Sequence, residues 1–278
     1  KEDNKPTKED LIKVATTSAN GDENLGTVIG EIYDKVGSEG LVKVSYKDED
    51  KITVDYAKGY IIDEGLLGME FINHNGMCLL NNPLVLVTNK PIEKAKEFME
   101  KFMDYAMNKE RDLLVVAGDY SREVLQTIVK NLKHVVCCPT KAPSTGENKN
   151  SYLEDIARVT GAVFINGEKD MFWEDLDPEE VLGTLCEKAE VKIDETVLYT
   201  DKSVDHEEYC KKLEDLAEST ESDYAKEFTM KRIAKINGNI ATINLSKTTL
   251  REMSFDYDRA DDAVKATRNT IKNGIMAG

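Results

Sequence analysis

Three apolar runs separated by amphipathic stretches constrain this chain more than any other feature. The runs are "PLVLVTNK", "DLLVVAGD" and "HVVCCPTKAP", starting at residues 83, 112 and 134. Each is short, rich in β-branched residues and closed by turn formers, as a strand buried on both faces should be. Between them lie "IEKAKEFMEKFMDYAMN", with Ala95, Phe98, Phe102, Tyr105 and Ala106 as its apolar face, and "SREVLQTIVKNLK", where Ser121 suits an N-cap. "STGENKNS" reads as a polar loop, and "YLEDIARVTGAVFIN" as a short helix and another strand. Strand and helix in βαβ alternation predict a layered α/β domain.

The flanks read differently. "KEDLIKVATTSAN" and "ENLGTVIGEIYDKV" predict two helices, the second ended by Gly37 and Gly40. "LVKVSY" and "ITVDYAKGY" alternate as strands do. Residues 204–236 predict a helical hairpin broken at "STESD", and "NIATINL" predicts a strand. The closing "RADDAVKATRNTIKNGIMAG" reads as a helix that opens on Asp261 and Asp262. Acids at a helix start can serve only to offset its dipole.

Charge and motifs narrow the function. With 53 acids against 37 bases, the formal net charge is −16. Such a surface repels phosphate backbones, so no nucleic-acid partner is expected. No apolar run reaches the roughly 18–20 residues of a membrane span, and no membrane partner is expected. Five cysteines without a CxxC and three scattered histidines predict reduced thiols, a cytoplasmic setting and no metal site. Neither GxGxxG, GxxxxGK[ST] nor GxSxG occurs, so the chain lacks a self-contained catalytic motif and an acidic α/β enzyme is the weakest reading.

Five blocks together resemble the group I chaperonin (GroEL-like) family. They are "TTSANGDENLGTVIGEIYDKVGSEGLVKV", "GYIIDEGLLGMEFIN", "VKNLKHVVCCPTKAPSTGENKNSYLEDIARVTGA", "ESDYAKEFTMKRIAKINGNIATI" and the closing helix. They occur in family order and cover nearly the whole chain. The resemblance implies an α/β fold in which a layered GroEL-like apical domain is inserted into a small α+β intermediate domain. The intermediate domain takes residues 1–57 and 240–278, and the apical, client-binding domain 58–239. The family's equatorial ATPase domain, with its Gly-Asp-Gly-Thr-Thr stretch, has no counterpart here. ATP and magnesium are therefore expected only with that domain, and this chain alone is not expected to hydrolyse ATP.

The resemblance also assigns residues. Asp262 is the acid that swings onto ATP and orients the attacking water. An exposed groove built from two helices and an extended segment holds unfolded polypeptides; Leu66, Leu67, Met69 and Phe71 supply the segment, Leu125, Ile128 and Val129 the first helix, and Tyr152, with Leu153 and Ile156 considered beside it, the second. Leu66, Phe71, Leu125 and Ile128 are expected to be exposed, and Leu125→Ser with Ile128→Ser to weaken client protection. Gly59, Gly238 and Asn239 are the expected hinges, Asn239 because it tolerates positive φ. Partners would be non-native polypeptides, identical subunits in a ring and a co-chaperonin lid. The alternative is a stand-alone, nucleotide-independent holdase. Glu70 stands where the family has an aromatic, and Glu64 and Leu250 replace a basic–acidic pair. These departures point to an unusual member, of the kind a large phage carries, working in the cytoplasm of a bacterium or an infected host. Trp173, the single tryptophan, reads as packing.

Overall fold

In a computed structural model of the chain, residues 6–37, 39–47, 51–169, 171–201, 205–246 and 250–274 are described. The chain begins with α1 (Lys8–Ser18), α2 (Glu23–Val36), β1 (Leu41–Lys47), β2 (Thr53–Ile62), β3 (Cys78–Asn81) and β4 (Leu84–Thr88). A helix α3 follows in three consecutive pieces, Ala95–Phe98, Met99–Met103 and Asp104–Asn108, the middle one a π turn. Next come β5 (Leu113–Ala117), α4 (Arg122–Asn131), β6 (Cys137–Lys141), α5 (Glu147–Thr160), β7 (Phe164–Ile165), β8 (Cys186–Val191) and β9 (Thr196–Thr200). The chain then runs through α6 (Glu207–Ser219), α7 (Asp223–Ile236), β10 (Asn239–Ser246) and α8 (Leu250–Asn273). It divides into two units, one of residues 1–58 and 237–278 and the other of residues 59–236. No helix among the described residues is long and apolar enough to cross a membrane.

The first unit is a three-stranded sheet with helices on it. β10 lies between β1, to which it is parallel, and the first part of β2, to which it is antiparallel. Its core joins Leu11 and Ala15 of α1, Leu25, Ile29, Ile32 and Tyr33 of α2, Ala241 and Ile243 of β10, and Ala260, Ala263 and Val264 of α8. α1 opens with a capping box between Thr7 and Asp10, and Gly37 closes α2 at φ 74°. Helices α1 and α2 approach so closely that only glycine fits at two positions of α2. A Cβ on Gly26 would overlap Thr16, and one on Gly30 would lie 3.0 Å from the Ile12 backbone. Tyr33 ties α2 to α8 by donating to the Val264 carbonyl at 3.1 Å.

Besides a short parallel pair of Pro91–Ile92 with Asp119–Tyr120, the described residues of the second unit form two sheets. The last residues of β2 pair antiparallel with β9, β9 with β8, and β8 with β3. The other sheet is wholly parallel, in the order β6-β5-β4-β7. Its central strands are apolar but for Thr88 because helices cover both faces: every residue of β4 and β5 is buried. That coverage also explains why Cys137 and Cys138 are both fully buried although their side chains point to opposite faces. Parallel connections are right-handed. The steps β4–α3–β5 and β5–α4–β6 run in one direction along the sheet, so α3 and α4 share a face. The return from β6 to β7 runs the other way and puts α5 on the opposite face.

Two local expectations change. α5 begins at Glu147, so part of the expected polar loop is helix; Gly146, at φ 64°, turns the chain into it. α8 begins at Leu250 rather than at Arg259, because "LREMSFDYD" contains no breaker. Asp261 and Asp262 therefore sit about three turns inside the helix. The helix-end dipole does not account for them.

Candidate functional site

Helix α4 carries two apolar stripes. Ser121 caps it, its hydroxyl accepting from the Val124 amide at 3.2 Å and donating to the Glu93 carbonyl at 2.8 Å. Val124 and Ile128, four apart, face the parallel sheet and are fully buried. Leu125, Val129 and, just past the helix end, Leu132 lie at the same helical spacing on a half-buried side. Arg122, Glu123, Gln126 and Lys130 take the rest of the surface. Ile128 is thus core rather than exposed. The i, i+3 relation to Leu125 suggested one face, but 3.6 residues per turn lets Ile128 follow Val124 instead.

The extended segment is divided in the same way. Gly65 passes so close to the Lys192–Ile193 backbone that a Cβ would overlap it, and Leu66 donates its amide to the Lys192 carbonyl at 2.7 Å. Leu66 and Leu67 are half-buried. A single 3-10 turn, Met69–Phe71, then swings Met69 out to 65% exposure and Phe71 in to 2%. Phe71 was expected outside; it anchors the turn in the core, and Met69 beside Glu70 is the apolar residue that meets solvent.

Tyr152 lies on α5, which crossover handedness puts on the other face of the parallel sheet from α4; it packs edge-on against Phe228 at 5.3 Å and under the Lys235 ammonium at 5.3 Å. Leu153 and Ile156, also considered for the groove, are fully buried in the sheet-facing side of α5. The helix that packs beside α4 is the first part of α3. Sequence reading missed this because it paired helices by resemblance of their residues. The alternation of strand and helix, with right-handed crossovers and the strand order, was the signal that could have placed α3 there.

Behind α5 lies a buried ion pair. Arg232 of α7 donates from Nε to Asp155 Oδ2 at 2.8 Å and from a terminal nitrogen to Oδ1 at 2.7 Å. The Tyr209 hydroxyl of α6 donates to the same Oδ1 at 3.0 Å. Nearby, Lys235 of α7 reaches Asp63 at 2.6 Å. These contacts fasten the helical hairpin to the unit; the Asp155–Arg232 pair is closed to solvent, and the Asp63 carboxylate is exposed.

In the first unit the two adjacent acids of α8 have different surroundings. Asp261 pairs with Lys265 at 2.6 Å, and its hydrogen bond holds that ammonium above its usual pKa. Asp262 is exposed and has no ion pair with any described residue. Gly59 is a buried residue of β2 paired with Tyr199, and Asn239 opens β10 opposite Lys58. Gly59, Gly238 and Asn239 all have negative φ, so the positive φ expected of Asn239 is not used.

No family model matches the chain. Individual relatives do. It is 33% identical over 279 residues to "Chaperonin CPN60-like 1, mitochondrial" of Arabidopsis thaliana, covering 98% of this chain and 47% of that protein. It is 32% identical over 279 residues to "Chaperonin CPN60-1, mitochondrial" of Cucurbita maxima, covering 98% and 48%. Among solved structures, the chaperonin gp146 of bacteriophage EL superposes with a TM-score of 0.72 at 22% identity, covering 96% of this chain and 53% of that one. The chain spans about half the length of the curated relatives it matches. The parallel-sheet unit, the sequence blocks and these matches agree along nearly the whole chain: it belongs with the GroEL-like chaperonins and corresponds to about half of one.

Proposed function

We propose that this chain is the client-binding and lever region of a protein-folding chaperonin. In this reading the unit of residues 59–236 is the apical domain and holds non-native polypeptides. The unit of residues 1–58 and 237–278 is the intermediate domain and relays the state of a nucleotide bound elsewhere in the assembly. The observation that carries the reading is the second apolar stripe of α4. Covering a sheet needs one such stripe, and Val124 with Ile128 supplies it. Leu125, Val129 and Leu132 pack against the edge of that core yet stay half-exposed, and Met69 adds an exposed thioether in the same unit. Apolar contact is non-directional, so it suits a holder that does not read sequence. The net charge of −16 keeps a protein with such a surface in solution.

Asp262 is our choice for the nucleotide-facing carboxylate, because Asp261 is already committed to Lys265. Held near ATP and magnesium, a carboxylate orients the attacking water. Gly59, Gly238 and Asn239 stand where the chain passes from one unit to the other and are proposed as the hinges. Assembly of identical copies into a ring, closed by a lid partner, belongs to the same proposal.

The test is suppression of client aggregation by the parent chain and by Leu125→Ser with Val129→Ser. Val129 replaces Ile128 in this pair because Ile128 is core. We expect the double variant to fold as the parent does and to protect clients at least several-fold less well. Equal protection would refute the groove. Protection that never responds to nucleotide in the full-length protein would favour a stand-alone holdase.

A further inference from the structure

A cavity of about 590 Å³ opens in the unit of residues 59–236. Its wall is formed by the segment Lys90–Lys94, the start of α3 and the turn Phe172–Glu174. None of Leu125, Val129 and Leu132 lines it. The floor is aromatic: Phe98 and Phe102 of α3 are buried, their centroids 6.1 Å apart, and Trp173 meets Phe102 edge-on at 5.8 Å. Phe172 stands at the mouth, 56% exposed.

Two lysines shape this cavity rather than charging it for an anion. Lys90 donates to the Met171 carbonyl at 2.5 Å, and Lys101 donates to the Trp173 and Glu174 carbonyls, both at 2.7 Å. They hold the turn against α3 and keep the aromatic pair in place. Of the carboxylates around the opening, Glu97 is paired with Lys94 at 2.6 Å and Glu100 with Lys96 at 3.7 Å. Glu93 and Glu174 have no ion pair with a described residue. Beyond the mouth the chain continues "MFWEDLDPEE", five acids without a base. An apolar cavity with an acidic approach complements an apolar side chain whose neighbours are cationic.

We propose that this cavity is a second polypeptide subsite, which takes a leucine or phenylalanine side chain flanked by lysine or arginine in an extended segment. Its size falls in the range of cavities that bury small ligands. The aromatic floor supplies affinity without fixing sequence, and the free carboxylates select the sign of the flanks. The inference rests on the polypeptide-binding reading above for the kind of occupant, but on a different surface for the site. It also gives the only tryptophan a role beyond packing.

Trp173 is its own reporter. The chain is titrated with the acetylated, amidated hexapeptide Lys-Lys-Leu-Phe-Lys-Lys and with its counterpart carrying four glutamates, while tryptophan emission is followed. We expect saturable change with the cationic peptide and at least about tenfold weaker binding of the acidic one. Phe172→Ser removes the mouth wall and should weaken binding about tenfold. Glu174→Lys, an exposed change that leaves the carbonyl contact to Lys101 intact, should weaken it about threefold or more. Leu125→Ser with Val129→Ser should leave this titration unchanged. A flat titration overturns the proposal, as does equal binding of both peptides. So does a signal that the α4 variant abolishes and Phe172→Ser spares. If the α4 variant protects clients fully while the titration behaves as expected, the ridge reading fails and this subsite stands.

Discussion

Replacing Asp155 by alanine should be the most damaging single change in the unit of residues 59–236. The carboxylate is 0% exposed and the Arg232 side chain 5% exposed, so neither partner can fall back on water. Three hydrogen bonds end on Asp155, two from the Arg232 guanidinium and one from the Tyr209 hydroxyl. In Asp155→Ala the guanidinium keeps only the Tyr209 oxygen, at 3.1 Å. Leaving one member of a buried pair unpaired costs about 3–5 kcal/mol, whereas replacing both by apolar residues of like volume is often neutral. The double variant Asp155→Leu with Arg232→Met should therefore recover most of the loss. Urea unfolding followed by Trp173 emission reads this unit alone, because Trp173 is the sole tryptophan and lies within it. With a denaturant slope of about 2.5 kcal/mol per molar, the midpoint of Asp155→Ala should fall by about 1–2 M. A single-variant loss below about 1 kcal/mol would refute the reasoning, and so would a double variant no more stable than Asp155→Ala.

Other expectations follow from the same contacts. Gly30→Val forces side-chain atoms onto α1 at Ile12 and should lower the stability of the first unit by about 1–3 kcal/mol, seen as a lower thermal midpoint in circular dichroism; an unchanged midpoint contradicts the close approach. Burial pushes the thiols of Cys137 and Cys186 up, that of Cys186 to about 12. An unfolded thiol ionises near about 8.5, so this contribution is full below that pH and is lost as pH rises toward the folded value. Iodoacetamide at pH 8.5 should therefore label the five buried cysteines slowly in the native chain and rapidly in urea; rapid native labelling speaks against their burial. In the full-length protein, Asp262→Asn should abolish ATP hydrolysis and Asp261→Asn should largely keep it; the reverse result would reassign the two acids. Gly59→Val should narrow the spread of inter-unit distances measured between spin labels, and an unaltered spread would remove Gly59 from the hinges.

Much of this chain was legible before any coordinates. The apolar runs at 84–88, 113–117 and 137–141 read as buried strands, and every residue of them but Lys141 is buried in a strand. Ser121, Gly37 and the break before Asp223 marked helix ends by local chemistry that acts within a few residues. The blocks that resemble chaperonins named the family. The same local reading stopped at every question of direction. Leu125, Ile128, Phe71 and Tyr152 are all large and apolar, and nothing in their identity says which faces a sheet.

That division has a physical basis. Hydrophobic periodicity, caps and turn residues are properties of neighbouring residues, so the sequence by itself determined element type, order and family. Which stripe of α4 is buried depends on where the parallel sheet lies. Whether α5 or α3 stands beside α4 depends on crossover handedness and on strand order across some eighty residues. Whether Asp261 or Asp262 is free depends on where α8 starts and on Lys265 one turn away. Burial and pairing are long-range outcomes of packing, and only the tertiary structure decided them.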